Sequence, residues 1–488
     1  MASRVRFVPG LLFRTVGLAA SLAVAACGPS ASPSAPPSSD AGSPGDDGGA
    51  PAEAASTGDA GSRPDASRDA AGDAPSDPPC GPPGTLDTAF AKTGLLVSET
   101  PMALTQESVA AISDGVDGLY VGFSPFDEAL PDSTNSTSLS VVHLDGKGTL
   151  DASFGKAGRV DASYPNVVNL TGIRRGSVSG AIYLLGDSAE PSGPSTVYSS
   201  TLARVTAAGT VDTTFGGDGH VQFGGPSGMA TNGYVADVVE RSDGSIVVLT
   251  GGGFMHLSAT GKVLGSAMAS VFPYEQDTTY LGFLPAAGES LVVVGAWSGS
   301  PTQPVQGPSV ARFTSSFALD TTFGTQGQAV PAIGLGATGF PHAGRTDLGM
   351  YLGGYTSIAS LDASGSPVAG FGKAGIASVK SPVVATLARS DGSVLYVPTP
   401  PTEGPSIAVN ALTTSGAADA TFGSGGSLDV PKSITRSDAS KTKIDAQYVG
   451  PVALVPAGAH RAYLVSIYGS PEGNKAYEGV YLARFCVE

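Results

Sequence analysis

Val211-Asp212-Thr213-Thr214-Phe215-Gly216-Gly217-Asp218-Gly219 recurs in close copies from residue 86 almost to the end of the chain. The copies are Leu86-Asp87-Thr88-Ala89-Phe90, Leu150-Asp151-Ala152-Ser153-Phe154-Gly155, Leu319-Asp320-Thr321-Thr322-Phe323-Gly324, Gly370-Phe371-Gly372 and Ala418-Asp419-Ala420-Thr421-Phe422-Gly423. A worn copy, Gly261-Lys262-Val263-Leu264-Gly265, fills the one wide gap, with Leu264 standing in for phenylalanine. Steps between these marks run from 48 to 64 residues. A period of that size marks a solenoid, a propeller or an array.

Each unit repeats one internal order. In the third, Val235 to Glu240 is an apolar run, Ser242-Asp243-Gly244 a hairpin turn, and Ser245 to Leu249 a second run. Phe254 to Ser258 is the third run, followed by a turn at Ala259-Thr260-Gly261 and a fourth short run. Runs this short, bounded by Asp-Gly and Gly-rich turns, predict four strands per unit. The 68 glycines and 37 prolines agree with many strands and turns, and long amphipathic helical periods are hard to find.

The last unit has only three runs, ending at Val480-Tyr481-Leu482-Ala483-Arg484-Phe485. The missing half stands at the other end, as Gly84-Thr85-Leu86-Asp87 and Leu95-Leu96-Val97. The expected fold is therefore all-β: a seven-bladed β-propeller over residues 80–488, closed by an N-terminal outer strand, which removes its terminal edges. Overlaying the first repeat on the third-strand turn at Gly209 brings Cys80 and Cys486 to the same turn, so a disulfide between them is expected. An exported compartment permits it, and linking positions so far apart contributes up to about 5 kcal/mol.

The first residues carry Arg4, Arg6 and Arg14, then an apolar run from Val16 to Ala26, which is too short to span a bilayer and has the plan of a secretory signal. Val24-Ala25-Ala26-Cys27 resembles the lipobox of bacterial lipoproteins, which implies a signal peptide at 1–26, lipid on Cys27 and a membrane anchor. Gly28 after the cysteine resembles lipoproteins sent to the outer membrane. Residues 28–79 contain no Val, Leu, Ile, Met or aromatic residue, so 27–79 reads as a disordered tether. Of the net charge of −16, −12 falls beyond the leader and tether, and an acidic folded region excludes a phosphate-backbone partner, hence nucleic acid.

Leu202-Ala203-Arg204 to Gly219 and Val310-Ala311-Arg312 to Gly327, with their Asp-Gly hairpins, resemble the bacterial delta-sixty repeat family. The likeness spans Gly84 to Phe485. It implies an exported, propeller-like protein and adds no catalytic residue. Leu264 and Pro367-Val368-Ala369-Gly370 depart from the family pattern.

The recurrent Asp87, Asp151, Asp212, Asp320 and Asp419 read as acceptors for turn N–H groups rather than as a metal ring, and the marker phenylalanines as wedges between blades. His143, His220, His256, His342 and His460 show no metal-ligand spacing. There is no Gly-x-Ser-x-Gly elbow and no Gly-Lys-Ser/Thr phosphate loop, no cofactor is indicated, and Asp114-Gly115-Val116-Asp117-Gly118 reads as a hairpin rather than a calcium loop. Insertions at Ser124 to Ser138, Asp187 to Ser200, Trp297 to Ser309, Pro398 to Pro405 and Tyr468 to Gly479 all fall between a second and a third strand, which puts them on one face. Such a face commonly binds, and Phe126, Tyr198, Trp297 and Tyr468 are its candidate contacts. The functional expectation is a cell-envelope binding or scaffold module for a protein or polysaccharide ligand. The alternatives are a hydrolase or lyase of an extracellular polymer acting at the channel mouth, and a purely structural surface protein.

Overall fold

A computed structural model describes residues 80–488 apart from 99–103, 126–137, 165–166, 193–194, 225–233, 252, 269–277, 285–288, 298–306, 335–342, 347–348, 401–403, 436–442, 446–447 and 470–478. Cys27, the leader and the tether lie outside the described residues, as does Phe126.

The described residues form seven four-stranded antiparallel sheets and one small extra hairpin, Ser433–Thr435 with Lys443–Asp445. Blade one is Leu104–Ser113, Leu119–Pro125, Ser138–Leu144 and Arg159–Ser163. Blade two is Val167–Arg175, Ile182–Ser192, Ser195–Val205 and His220–Phe223. Blade three is Val235–Glu240, Ile246–Thr250, Gly253–Leu257 and Val263–Met268. Blade four is Thr278–Leu284, Leu291–Trp297, Gly307–Phe313 and Gln328–Ala329. Blade five is Ala343–Thr346, Gly349–Gly353, Ser357–Leu361 and Ile376–Ser378, and blade six Val383–Ala388, Val394–Pro398, Ser406–Leu412 and Ser427–Pro431. Blade seven takes Tyr448–Ala457, Arg461–Gly469 and Gly479–Cys486 from the C-terminus and Leu95–Ser98 from the N-terminus. Leu95 pairs with Ala483 and Ser98 with Val480, so the two ends of the chain share one sheet.

The core is divided among seven hydrophobic clusters, one at each seam between neighbouring blades. Phe90, Phe123 and Tyr463 belong to the cluster joining blade seven to blade one, so the ring is closed. Alternate residues of each strand face opposite neighbours: in the second strand of blade seven, Leu464 packs toward blade six and Val465 toward blade one. The first, innermost strand of six blades carries a β-bulge against the second, which bends and twists it locally.

The repeat motif is an inter-blade latch. Phe90, Phe154, Phe215, Phe323, Phe371 and Phe422 are all at most 2% exposed, each in the seam with the following blade. The residue after each phenylalanine donates its N–H to a turn carbonyl of the next blade. Ala91 reaches Lys147 O, Gly155 Ala208 O, Gly216 Thr260 O, Gly324 Ser364 O, Gly372 Ser415 O and Gly423 Pro83 O, at 2.6–3.1 Å. The turn residue after that carbonyl is glycine in all six cases, with φ between 73 and 81°. In Gly209 a Cβ would lie 2.2 Å from Gly155 N, and in Gly365 2.6 Å from the Phe323 ring, so no side chain fits.

Blade three breaks the pattern. Leu264, the sequence stand-in for phenylalanine, is the extra residue of a bulge between His256 and Leu257 pairings and is 55% exposed, so it is no wedge. Phe317 of blade four fills the seam from the other side, at the turn position that is glycine elsewhere and with φ of 65°. The insertion at Asp187 to Ser200 also differs from a loop. Its β-rich sequence continues the sheet, with Asp187 paired to Ser200 and Ser192 to Ser195.

Candidate functional site

Strands in each blade alternate in direction, so the connections between second and third strands gather at one end of the ring and the repeat turns at the other. The insertion end holds the residues singled out from the sequence. Tyr198 lies in the extended blade-two hairpin, opposite Ala189, and Trp297 closes the second strand of blade four, opposite Gly307. Tyr468 points inward: it is 3% exposed, in the cluster between blades six and seven, so it is a packing residue rather than a surface contact. Tips of the other insertions fall outside the described residues.

Hydroxyls are buried beneath this end. Ser188 and Thr201 share a hydrogen bond of 2.6 Å, Ser140 donates to Asp161 at 2.5 Å, and Gln222 donates to Ser199 at 3.0 Å. Ser200 accepts the N–H of Val235 from the next blade at 3.0 Å. These pairs satisfy the buried polar groups they involve.

Carboxylates at the opposite end are engaged. Asp87, Asp151, Asp212, Asp320 and Asp419 each accept the backbone N–H two residues on, at 2.9–3.1 Å, as read from the sequence. Their second oxygens meet a cation that sequence reasoning missed. Arg204 Nε donates to Asp212 at 2.8 Å and lies over the Phe215 ring, and Arg312 treats Asp320 and Phe323 in the same way. Both guanidinium groups also donate to a turn carbonyl of the next blade, Ala259 or Ala363. The signal was present, because the cation stands eight residues before the aspartate in each case. Burial pushes the Asp212 pKa up, but hydrogen bonds from Thr214 and the charge of Arg204 outweigh it and hold the carboxyl below its ordinary range.

Ring closure has the densest such cluster. Asp87 Oδ2 receives Arg461 and Arg484, each at 2.8 Å, and Arg484 also reaches Asp117 at 2.9 Å. Tyr463 donates its hydroxyl to the Asp117 carbonyl at 2.7 Å. Cys80 and Cys486 are joined beside it, with Cα atoms 5.7 Å apart. The expected disulfide is therefore present.

Two further places carry polar chemistry. On the inner strands, Asp237 is fully buried and salt-bridged to Arg174 at 2.6 Å while accepting the N–H groups of Val238 and Phe283, which ties blades two, three and four together. On the rim between blades two and three, a groove of about 320 Å³ is lined by Gly216, His220, Val221, Gln222, Thr260, Gly261 and Lys262. No carboxylate lines it. Among the described residues no group of three or more His, Cys, Asp or Glu is arranged to hold a metal ion, and no helix is long and apolar enough to cross a membrane.

No protein-family model and no curated protein matches the chain. Similar solved structures include an extracellular domain from B. thetaiotaomicron, with TM-score 0.40 and 8% identity over 83% of this chain. This chain spans 42% of that structure's length. A protein of unknown function from Dyadobacter fermentans matches with TM-score 0.39 and 13% identity, over 81% of this chain and 100% of its own. The WD40 domain of Neurospora crassa Pan2 matches with TM-score 0.42 and 9% identity, over 80% and 94%.

Proposed function

We propose that the chain is an exported propeller, anchored to the outer membrane through lipid on Cys27, that binds a protein or polysaccharide ligand on its insertion face. The observation that carries this reading is the asymmetry of the two ends. At the repeat-turn end, the aspartates and arginines of the motif satisfy one another and the neighbouring blade, so these charges are committed to the fold. The insertion end carries the sequence that departs from the repeat, including Trp297 and Tyr198, and aromatic residues are the usual anchors of recognition. The resemblance to the exported delta-sixty repeat proteins supports the address.

The test uses the mature chain purified from membranes in detergent, titrated against a panel of soluble cell-envelope and extracellular polysaccharides. Trp297→Ala and a deletion of residues 300–305 are the comparison variants. Saturable binding weakened at least tenfold by either change supports the reading. Release of new reducing or unsaturated ends from any polymer would replace it with the hydrolase or lyase alternative. An unlipidated Cys27 in the intact mass would remove the anchor.

A further inference from the structure

The position that holds arginine in blades two, four and seven holds His143 in blade one. Its side chain is 13% exposed, and both ring nitrogens face a carboxylate: Nδ1 lies 2.9 Å from Asp151 Oδ2 and Nε2 3.3 Å from Asp114 Oδ2. Tyr120 stacks on the ring at 4.3 Å and Phe154 meets it edge-on at 5.7 Å, which fixes its plane. An ionised carboxylate only accepts hydrogen bonds, so both contacts are satisfied only when each ring nitrogen carries a proton. A neutral ring would turn one lone pair toward an anion.

We propose that His143 is a proton-operated clasp between the first hairpin of blade one and the repeat turn of the same blade. With both protons it ties Asp114 to Asp151; with one it holds a single side. The hairpin it grips is shared with the ring closure. Asp114 accepts the N–H groups of Val116 and Gly118 at 2.8 and 3.0 Å, and Asp117 in the same turn is bound by Arg484 at 2.9 Å. Loss of the proton therefore loosens the seam where the two chain ends meet.

Other ionisable groups around the ring are few. Arg175 approaches from blade two, where its guanidinium lies against Gly115, and it and Asp114 both act on the Tyr120 hydroxyl. Burial pulls the His143 pKa down, and the hydrogen bonds and charges of Asp114 and Asp151 outweigh it and raise it above the ordinary imidazole value. A group raised in the folded state stabilises fully below its unfolded value, about 6.5, and that contribution is lost as pH climbs through the higher folded value.

The experiment compares the full chain with His143→Arg, whose side chain the fold already accepts at Arg204, Arg312 and Arg484. The ¹⁵N-histidine spectrum of the wild type, with His143 assigned by its absence in the variant, is expected to show both ring nitrogens protonated on the acid side of a titration that lies above the ordinary imidazole value. The thermal midpoint of the wild type should fall as pH rises through that titration, and the fall should vanish in His143→Arg. Asp114→Asn, which removes one acceptor, should bring the His143 titration down. Titration at or below the ordinary value, an unchanged pH slope in His143→Arg, or an unmoved titration in Asp114→Asn would each overturn the clasp.

Discussion

Phe317 stacks on Phe254 with ring centroids 5.5 Å apart, filling from blade four a seam that every other blade fills from the preceding side. Arg241 lies over the Phe317 ring at 4.8 Å and donates to the Ser315 carbonyl, doing from blade three what the Phe-Gly latch does elsewhere. The substitution holds a bulky residue in the left-handed region, which opposes the packing gained by about 1–2 kcal/mol.

Phe317→Gly therefore loses packing and gains relief of that strain, which alanine would retain with its Cβ. The expected net loss is about 1–3 kcal/mol, below the usual range for a phenylalanine deletion, read from urea unfolding. In hydrogen exchange on the wild type, amides of the outer strand of blade three should be the least protected among the outer strands, because residues 262–266 are all exposed, a run found in no other described outer strand.

Gly209→Ala and Gly217→Ala make a matched pair. Both glycines have positive φ, 80° and 98°, but a Cβ at Gly209 meets backbone of the neighbouring blade at 2.2 Å, while one at Gly217 meets nothing within 4 Å. The second should show only the conformational penalty, roughly 1–2 kcal/mol. The first must push two blades apart and should lose at least twice as much, measured by the same unfolding curve.

The repeat aspartates predict acid sensitivity. Asp212 and Asp419 are held below the ordinary carboxylate range, burial raising each but Thr214 and Thr421 with Arg204 and Arg389 lowering them further. A depressed folded pKa gives stability that is complete above the unfolded value, about 3.9, and is lost as pH falls through the folded one. Thermal midpoints should hold down to about pH 5 and then drop. Asp212→Asn with Asp419→Asn should flatten the acid limb while lowering the plateau.

Cys80→Ser with Cys486→Ser should lower stability by about 2–5 kcal/mol without abolishing the ring, since Asp87 still bridges Arg461 and Arg484. The strand Leu95–Ser98 should become the first site of limited proteolysis. Adding Asp87→Asn to that variant removes the second lock, and an intact ring after both changes would show that apolar packing alone closes it.

The architecture was legible because it is local: four runs, an Asp-Gly hairpin and a Phe-Gly mark lie within one unit and recur. The composite blade was legible for the same reason, since Gly84 to Val97 reads as the half-unit missing after Phe485. The latch was half visible. Phe215 and Gly216 announce themselves, but their partners Thr260 and Gly261 sit in the next blade, where no short pattern links them. Leu264 misled for this reason, because its replacement, Phe317, stands 53 residues on in what reads as an ordinary Ser-rich turn. On the insertion face, Tyr468 failed as a surface candidate because the aromatic residue at a strand end also belongs to the alternation that feeds the core.

A folded region whose two ends are hydrogen-bonded in one sheet, with the last residue of that sheet's strand Gly479–Cys486 also joined by sulfur to Cys80, has no geometric reason to begin at residue 80. Joining Cys486 to Cys80 by a short peptide and reopening the backbone at the seam after blade three would give the same circle a different starting point. Which seam evolution left open is then a matter of order in synthesis. Among the described blades, only blade seven cannot be finished until the strand Gly479–Cys486 has been made, so Leu95–Ser98, the first strand, must wait for it.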